Sequence, residues 1–156
     1  MDEIWHLLHV VAAGVWIGGI LFTTAVVSPA LKAVNWPEFE RVMVRTLIGR
    51  QYAKVGGINL VLLLIFAIVD GAVRGLGIYF YAEYALLIVL FVLVGLHGAY
   101  FGRKLVSLAK SEKEAKSSEI ARNFAAERHT LQQLSLGVSL LDLIVSTAIM
   151  VLAVSA

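Results

Sequence analysis

Seven ionisable side chains fall within or at the edges of long apolar runs: His6, His9, Asp70, Glu83, His97, His129 and Asp142. Such groups are expensive at membrane depth and are by default candidates for function. His6 and His9 stand three residues apart, a spacing that puts both on one helix face. With Met150 and Met1 at a similar depth they offer imidazole and thioether, a donor set that suits copper, Cu(I) above all. Asp70 and Glu83, near the same ends of their own runs, can join them in one cluster. The alternative for a histidine near an interface is a plain hydrogen bond to water or a headgroup. His97 has Gly98 beside it, which leaves room for a flat cofactor. His97 and His129, if their helices adjoin, can ligate one haem iron from opposite sides. His129 is also flanked by Glu127 and Arg128, which fits a solvated surface histidine. Asp142 has Ser135, Ser139 and Ser146 at nearby helical positions, so it can be held by hydrogen bonds within a bundle or relay protons.

The elements that position these residues follow from composition. Of 156 residues, 60% are hydrophobic and 15% charged, against about 25% charged in an ordinary soluble domain. A water-soluble core of this size cannot hide so much apolar surface. No cysteine is present, which excludes disulfides, thiolate metal sites and covalent haem attachment through thioethers. The net charge of +2 is small, and the cations flank apolar runs without aromatic interleaving, so nucleic acid is not an expected partner. The acidic start at Asp2 and Glu3 lacks the charge of a secretory signal, so the first run reads as a retained helix.

A span needs roughly 20 mostly apolar residues, and in lipid every backbone polar group must be satisfied within the segment. The sequence predicts an all-α, four-helix integral membrane bundle in a single domain over 1–156, with helices about 4–29, 53–73, 80–109 and 128–154. Five Lys and Arg residues lie from Lys32 to Lys54 and seven from Arg103 to Arg128, but only Arg74 lies between the second and third spans. Positive flanks stay cytoplasmic, which places both termini outside, in what reads as a prokaryotic cytoplasmic membrane. Tyr79, Tyr81 and Tyr84 then form an outer aromatic anchor. Pro37, followed by Glu38 and Glu40 and by apolar residues at helical spacing, predicts a short amphipathic helix on the inner surface. The second inner connection extends its flanking helices into water, with Ser111 and Glu114 as a capping-box pattern. Gly14 and Gly18, Gly71 and Gly75, and Gly98 and Gly102 each have the four-residue spacing that lets helices approach closely.

These spans put His9 about 8 Å and His97 about 24 Å from the outer ends of their helices, at about 1.5 Å per residue. One iron cannot bind both unless the helices shift by several turns. Two sites, one toward each side, would allow electrons to cross the bilayer.

The first helix reads His9-Val-Val-Ala-Ala-Gly-Val-Trp16-Ile-Gly18-Gly19, followed by Phe22 and Pro29. This resembles the opening helix of the copper resistance protein D family and its four-helix relatives, as does the segment from Phe39 to Gly56 with Tyr52. The resemblance covers roughly the first half of the chain. A similar His-to-Trp spacing occurs in the membrane-bound, oxygen-independent protoporphyrinogen oxidase, which binds haem b. The resemblance implies that His9 is a haem or metal ligand and Trp16 its neighbour in one pocket. The oxidase carries a Pro-Arg and a further His after its first helix; here Pro29 is followed by Ala30 and Leu31.

The expected function is therefore a haem b-binding membrane protein that passes electrons, as a small subunit of a respiratory or quinone-linked assembly. Its partners would be lipid, a quinone or redox protein, and a second copy or a host complex. Copper binding or transport through His6, His9 and Met150 is the alternative, and a non-catalytic accessory subunit the third. Nucleophilic catalysis has no support, because no nucleophile elbow, P-loop or dinucleotide glycine pattern occurs.

Overall fold

Each apolar run folds as a helix, because only helices and closed barrels satisfy the backbone in hydrocarbon. The computed structural model describes residues 2–155. Helix α1 (Asp2–Phe22) passes through a π-helical turn (Thr23–Val27) into α2 (Ser28–Ala33). After a short link comes α3 (Glu38–Arg74), then α4 (Ile78–Leu96), which continues through a second π-helical turn (His97–Phe101) into α5 (Gly102–Lys113). Helix α6 (Ser118–Ser155) closes the bundle. Four continuous helical segments, Glu3–Ala33, Glu38–Arg74, Ile78–Lys113 and Ser118–Ser155, are long and apolar enough to cross a bilayer. The chain has the build of an integral membrane protein.

Two boundaries differ from the expectation. The short surface helix after Pro37 is not separate. Pro37 caps the N-terminus as anticipated, with Glu38 and Glu40 in the first turn, but the helix then runs unbroken to Arg74. The reason is local: no proline interrupts residues 38–74, so no backbone donor is lost and nothing stops propagation. The connection between α5 and α6 is also shorter than helices ending near 109 and restarting near 128 imply. Ser111 lies inside α5, and Ser117 instead caps α6, its Oγ accepting from the Ile120 amide at 3.3 Å.

Helix α1 packs mainly on α3 and α6, and the α4–α5 segment on α6 and α3, so α1 and α4 occupy opposite corners of the bundle. The shared core is aliphatic around one indole: Ala12, Ala13 and Trp16 from α1 meet Leu60, Leu63, Leu87, Leu90 and Ile149. A smaller cluster of Phe101, Leu108 and Leu131 sits toward the end away from the termini. There Arg128 of α6 ties three helices together, donating from Nε to Glu112 at 2.8 Å and from Nη1 to Glu38 at 2.7 Å.

The glycines that permit close approach are only partly those with the four-residue spacing. A Cβ on Gly14, Gly18 or Gly98 would meet nothing within 4 Å. Gly75 ends α3 with φ 94°, a backbone that disfavours any side chain. Gly71 is where α4 presses on α3: a Cβ there would lie 2.5 Å from the Tyr84 hydroxyl and 3.1 Å from Phe80 Cδ1. Gly71→Ala is therefore expected to destabilise the bundle by about 1–3 kcal/mol through overpacking. Gly14→Ala, in open space, should stay within about 0.5 kcal/mol of the parent. Unfolding midpoints in detergent compare the two.

Candidate functional site

The N-terminal turns of α1 face the end of α3 and the start of α4, and three helices deliver four titratable residues to one place. His6 and His9 come from α1, Asp70 from α3 and Glu83 from α4. His9, Asp70 and Glu83 are fully buried, with no exposed side-chain surface. The His9 ring lies between the two carboxylates: Nε2 is 2.6 Å from Glu83 Oε1 and Nδ1 is 3.2 Å from Asp70 Oδ2. The same Asp70 oxygen is 3.0 Å from His6 Nδ1, and the His6 side chain retains 24% exposure. On the other side of Asp70, Oδ1 forms an ion pair with Arg74 Nε one turn along α3, at 3.2 Å. Glu83 Oε2 is buried and, among the described residues, has no hydrogen-bond partner.

This geometry has a chemical meaning. An ionised carboxylate only accepts hydrogen bonds, so an imidazole held between two of them donates from both nitrogens and carries a positive charge. The bond from His9 to Glu83 is short, as charge-assisted hydrogen bonds are. It also runs between opposite corners of the bundle, so it fixes the register of α1 against α4 at that level. The Tyr84 hydroxyl, next to Glu83, donates to the Ala67 carbonyl at 3.1 Å and fastens α4 to α3 one turn from Asp70. Tyr79 and Tyr81 are exposed, whereas Tyr84 turns inward.

A second polar layer lies about 10 Å further along α1, seven residues on at about 1.5 Å each. Trp16, 3% exposed, donates from Nε1 to Ser146 Oγ at 2.9 Å. Asp142 lies one helical turn before Ser146 on α6, and its Oδ1 is buried with no hydrogen-bond partner among the described residues. Asn59 donates to the Ala12 carbonyl at 3.0 Å, and the Tyr52 hydroxyl to the Trp16 carbonyl at 3.4 Å. Trp16, Gly19, Tyr52, Gly56 and Asn59 border an apolar cavity of about 230 Å³ between α1 and α3.

The structure thus brings together His6, His9, Asp70 and Glu83, and in the next layer Trp16 and Ser146, one helical turn from Asp142. It does not bring the remaining candidates to them. Met150 is half-buried against the aliphatic core, and Met1 lies outside the described residues. His97 is exposed in the π-helical turn with its ring 6.0 Å from that of Phe101, Gly98 is exposed beside it, and His129 is exposed on α6. With both nitrogens of His9 engaged, neither is free to bind iron or copper unless a carboxylate first moves away. Among the described residues no group of three or more His, Asp or Glu side chains is arranged to hold a metal ion. Residues that sequence reasoning left out of the site are Ser146, Tyr52, Asn59 and Arg74. Ser146 had a signal in its helical spacing from Asp142 and Tyr52 in the resembling segment from Phe39 to Gly56; Asn59 and Arg74 are polar residues without distinctive neighbours.

A family model described as a domain of unknown function, DUF4149, matches residues 11–114. That stretch holds Trp16, Asp70 and Glu83 but begins just after His9. The chain matches no curated protein and no solved structure.

Proposed function

The chain belongs to the DUF4149 family, and we propose that it binds and passes protons inside the membrane through a histidine held between two buried carboxylates. The observation that carries this reading is the continuous hydrogen-bonded path from the partly exposed His6, through Asp70 Oδ2, to His9 and on to Glu83. An imidazole is suited to such a step. The neutral ring takes a proton at Nδ1 from Asp70 Oδ2, becomes the imidazolium held between two carboxylates, and releases its Nε2 proton to Glu83 Oε1, after which a tautomer change or ring rotation resets it. His6 is the contact with water, Asp70 the shared acceptor, His9 the relay and Glu83 the terminal acceptor. The unpartnered Glu83 Oε2 supplies a place for the transferred proton to reside. Arg74 holds Asp70 from behind, so that Asp70 stays oriented while His6 and His9 exchange. The Lys and Arg distribution supports a topology with the termini outside, and in that topology His6 exchanges with the outer aqueous phase.

Infrared difference spectroscopy of the purified protein after a pH jump tests the reading. The carboxyl stretching band should contain a component that Glu83→Gln removes, and His6→Ala should slow its appearance by an order of magnitude or more. No Glu83 component over the accessible pH range, or a rate indifferent to His6, rejects the proposal. A Soret band in the same sample that His9→Leu abolishes would replace it with the haem reading.

A further inference from the structure

At the end of the bundle away from the termini, α2, α3 and α6 border a cavity of about 340 Å³. Its lining is cationic, with Lys32, Arg41 and Arg45 against the single acid Glu38. Glu38 does not neutralise the three. Its Oε1 already accepts from Arg128 at 2.7 Å and from Gln132 at 3.3 Å, and its Oε2 accepts from Arg41 Nη2. Arg41 Nε is buried and has no partner. Lys32 and Arg45 are exposed and, among the described residues, make no ion pair or hydrogen bond. The N-terminus of the long helix α3 opens on the same cavity and adds its positive end.

The other walls are apolar. Leu31 and Val42 are buried in the lining, and Trp36, in the link just before α3, is exposed. The first spanning segment has 31 residues. At about 1.5 Å each it extends about 46 Å, beyond the hydrocarbon core and into the headgroup zone of a bilayer about 40–45 Å thick overall. A cavity at its end therefore lies where lipid phosphates lie, with an exposed tryptophan of the kind that marks that level.

We propose that this cavity binds the phosphate of an anionic membrane lipid. Arg41 and Arg45 present forked donors to the phosphate oxygens and Lys32 adds a point charge, while the acyl chains of the lipid stay in the bilayer beside the apolar helices, below the level that Trp36 marks. A soluble phosphate would use the same cations but gain nothing from the bilayer around them.

The test measures binding to the full-length protein in a neutral detergent by native mass spectrometry. Phosphatidylglycerol, phosphatidylcholine and inorganic phosphate are titrated separately. The parent should retain phosphatidylglycerol in preference to phosphatidylcholine. The double variant Lys32→Gln/Arg45→Gln should bind it on the order of tenfold more weakly, while Lys54→Gln, on α3 away from the cavity, should match the parent. Neither Lys32 nor Arg45 belongs to the Glu38–Arg128 network, so the double variant keeps the contacts that hold this end together. Equal retention of the two lipids, or a double variant indistinguishable from Lys54→Gln, overturns the proposal. Displacement of phosphatidylglycerol by an equal concentration of inorganic phosphate also overturns it, since the site would then belong to a soluble anion.

Discussion

Replacing His9 with leucine is expected to destabilise the bundle by about 3–5 kcal/mol, the size of effect seen when one partner of a buried ion pair is removed. Leucine leaves the hole filled. What it removes is the positive centre between Asp70 and Glu83, both without exposed surface, so two carboxylates would remain in a low-dielectric interior. Arg74 can attend to Asp70 from its far side, but Glu83 has no other partner in view. The loss should therefore fall mainly on the contact between α1 and α4. Adding Glu83→Gln to His9→Leu should recover at least half of it, because the stranded charge is then gone. Unfolding in mixed micelles measures both variants, and a His9→Leu protein within about 0.5 kcal/mol of the parent would mean that His9 is not what holds the carboxylates.

Trp16→Ala is the second large effect, expected at about 2–4 kcal/mol. Truncating a buried aromatic side chain of a soluble protein costs about 3–5 kcal/mol, part transfer and part cavity. Between helices in lipid the transfer part is weak and packing dominates, which sets the expectation somewhat lower. The indole is 3% exposed at the middle of the shared core, and its Nε1 is the donor that Ser146 accepts from α6. Trp16→Phe isolates the hydrogen bond from the packing and should lose about 1 kcal/mol. If Trp16→Ala and Trp16→Phe unfold together, the indole packing contributes little and the core is held by its aliphatic residues.

Much of the candidate site was legible because the penalty for an ionisable group at membrane depth is local and can be read one residue at a time. His6, His9, Asp70, Glu83 and Asp142 were singled out that way, and the spacing of His6 and His9 placed both on one face of α1. Their chemistry was not legible. The same two imidazoles suit copper with Met150, iron with His97, or carboxylates, and the choice rests on which side chains the other helices turn toward them. The His9–Glu83 contact joins residues 74 positions apart on opposite corners of the bundle, and no periodicity along either helix reveals it.

Apolar length by itself determined that this chain makes four helices long and apolar enough to cross a membrane, since burial in hydrocarbon depends on composition and hydrogen bonding within each segment. Tertiary structure alone decided that Trp16 meets Ser146, and that His9 is held by Asp70 and Glu83 while His97 stays exposed. Those outcomes depend on the rotation and axial register of each helix against its neighbours. Register is set by the packing of side chains from different parts of the chain, a property that no single segment carries.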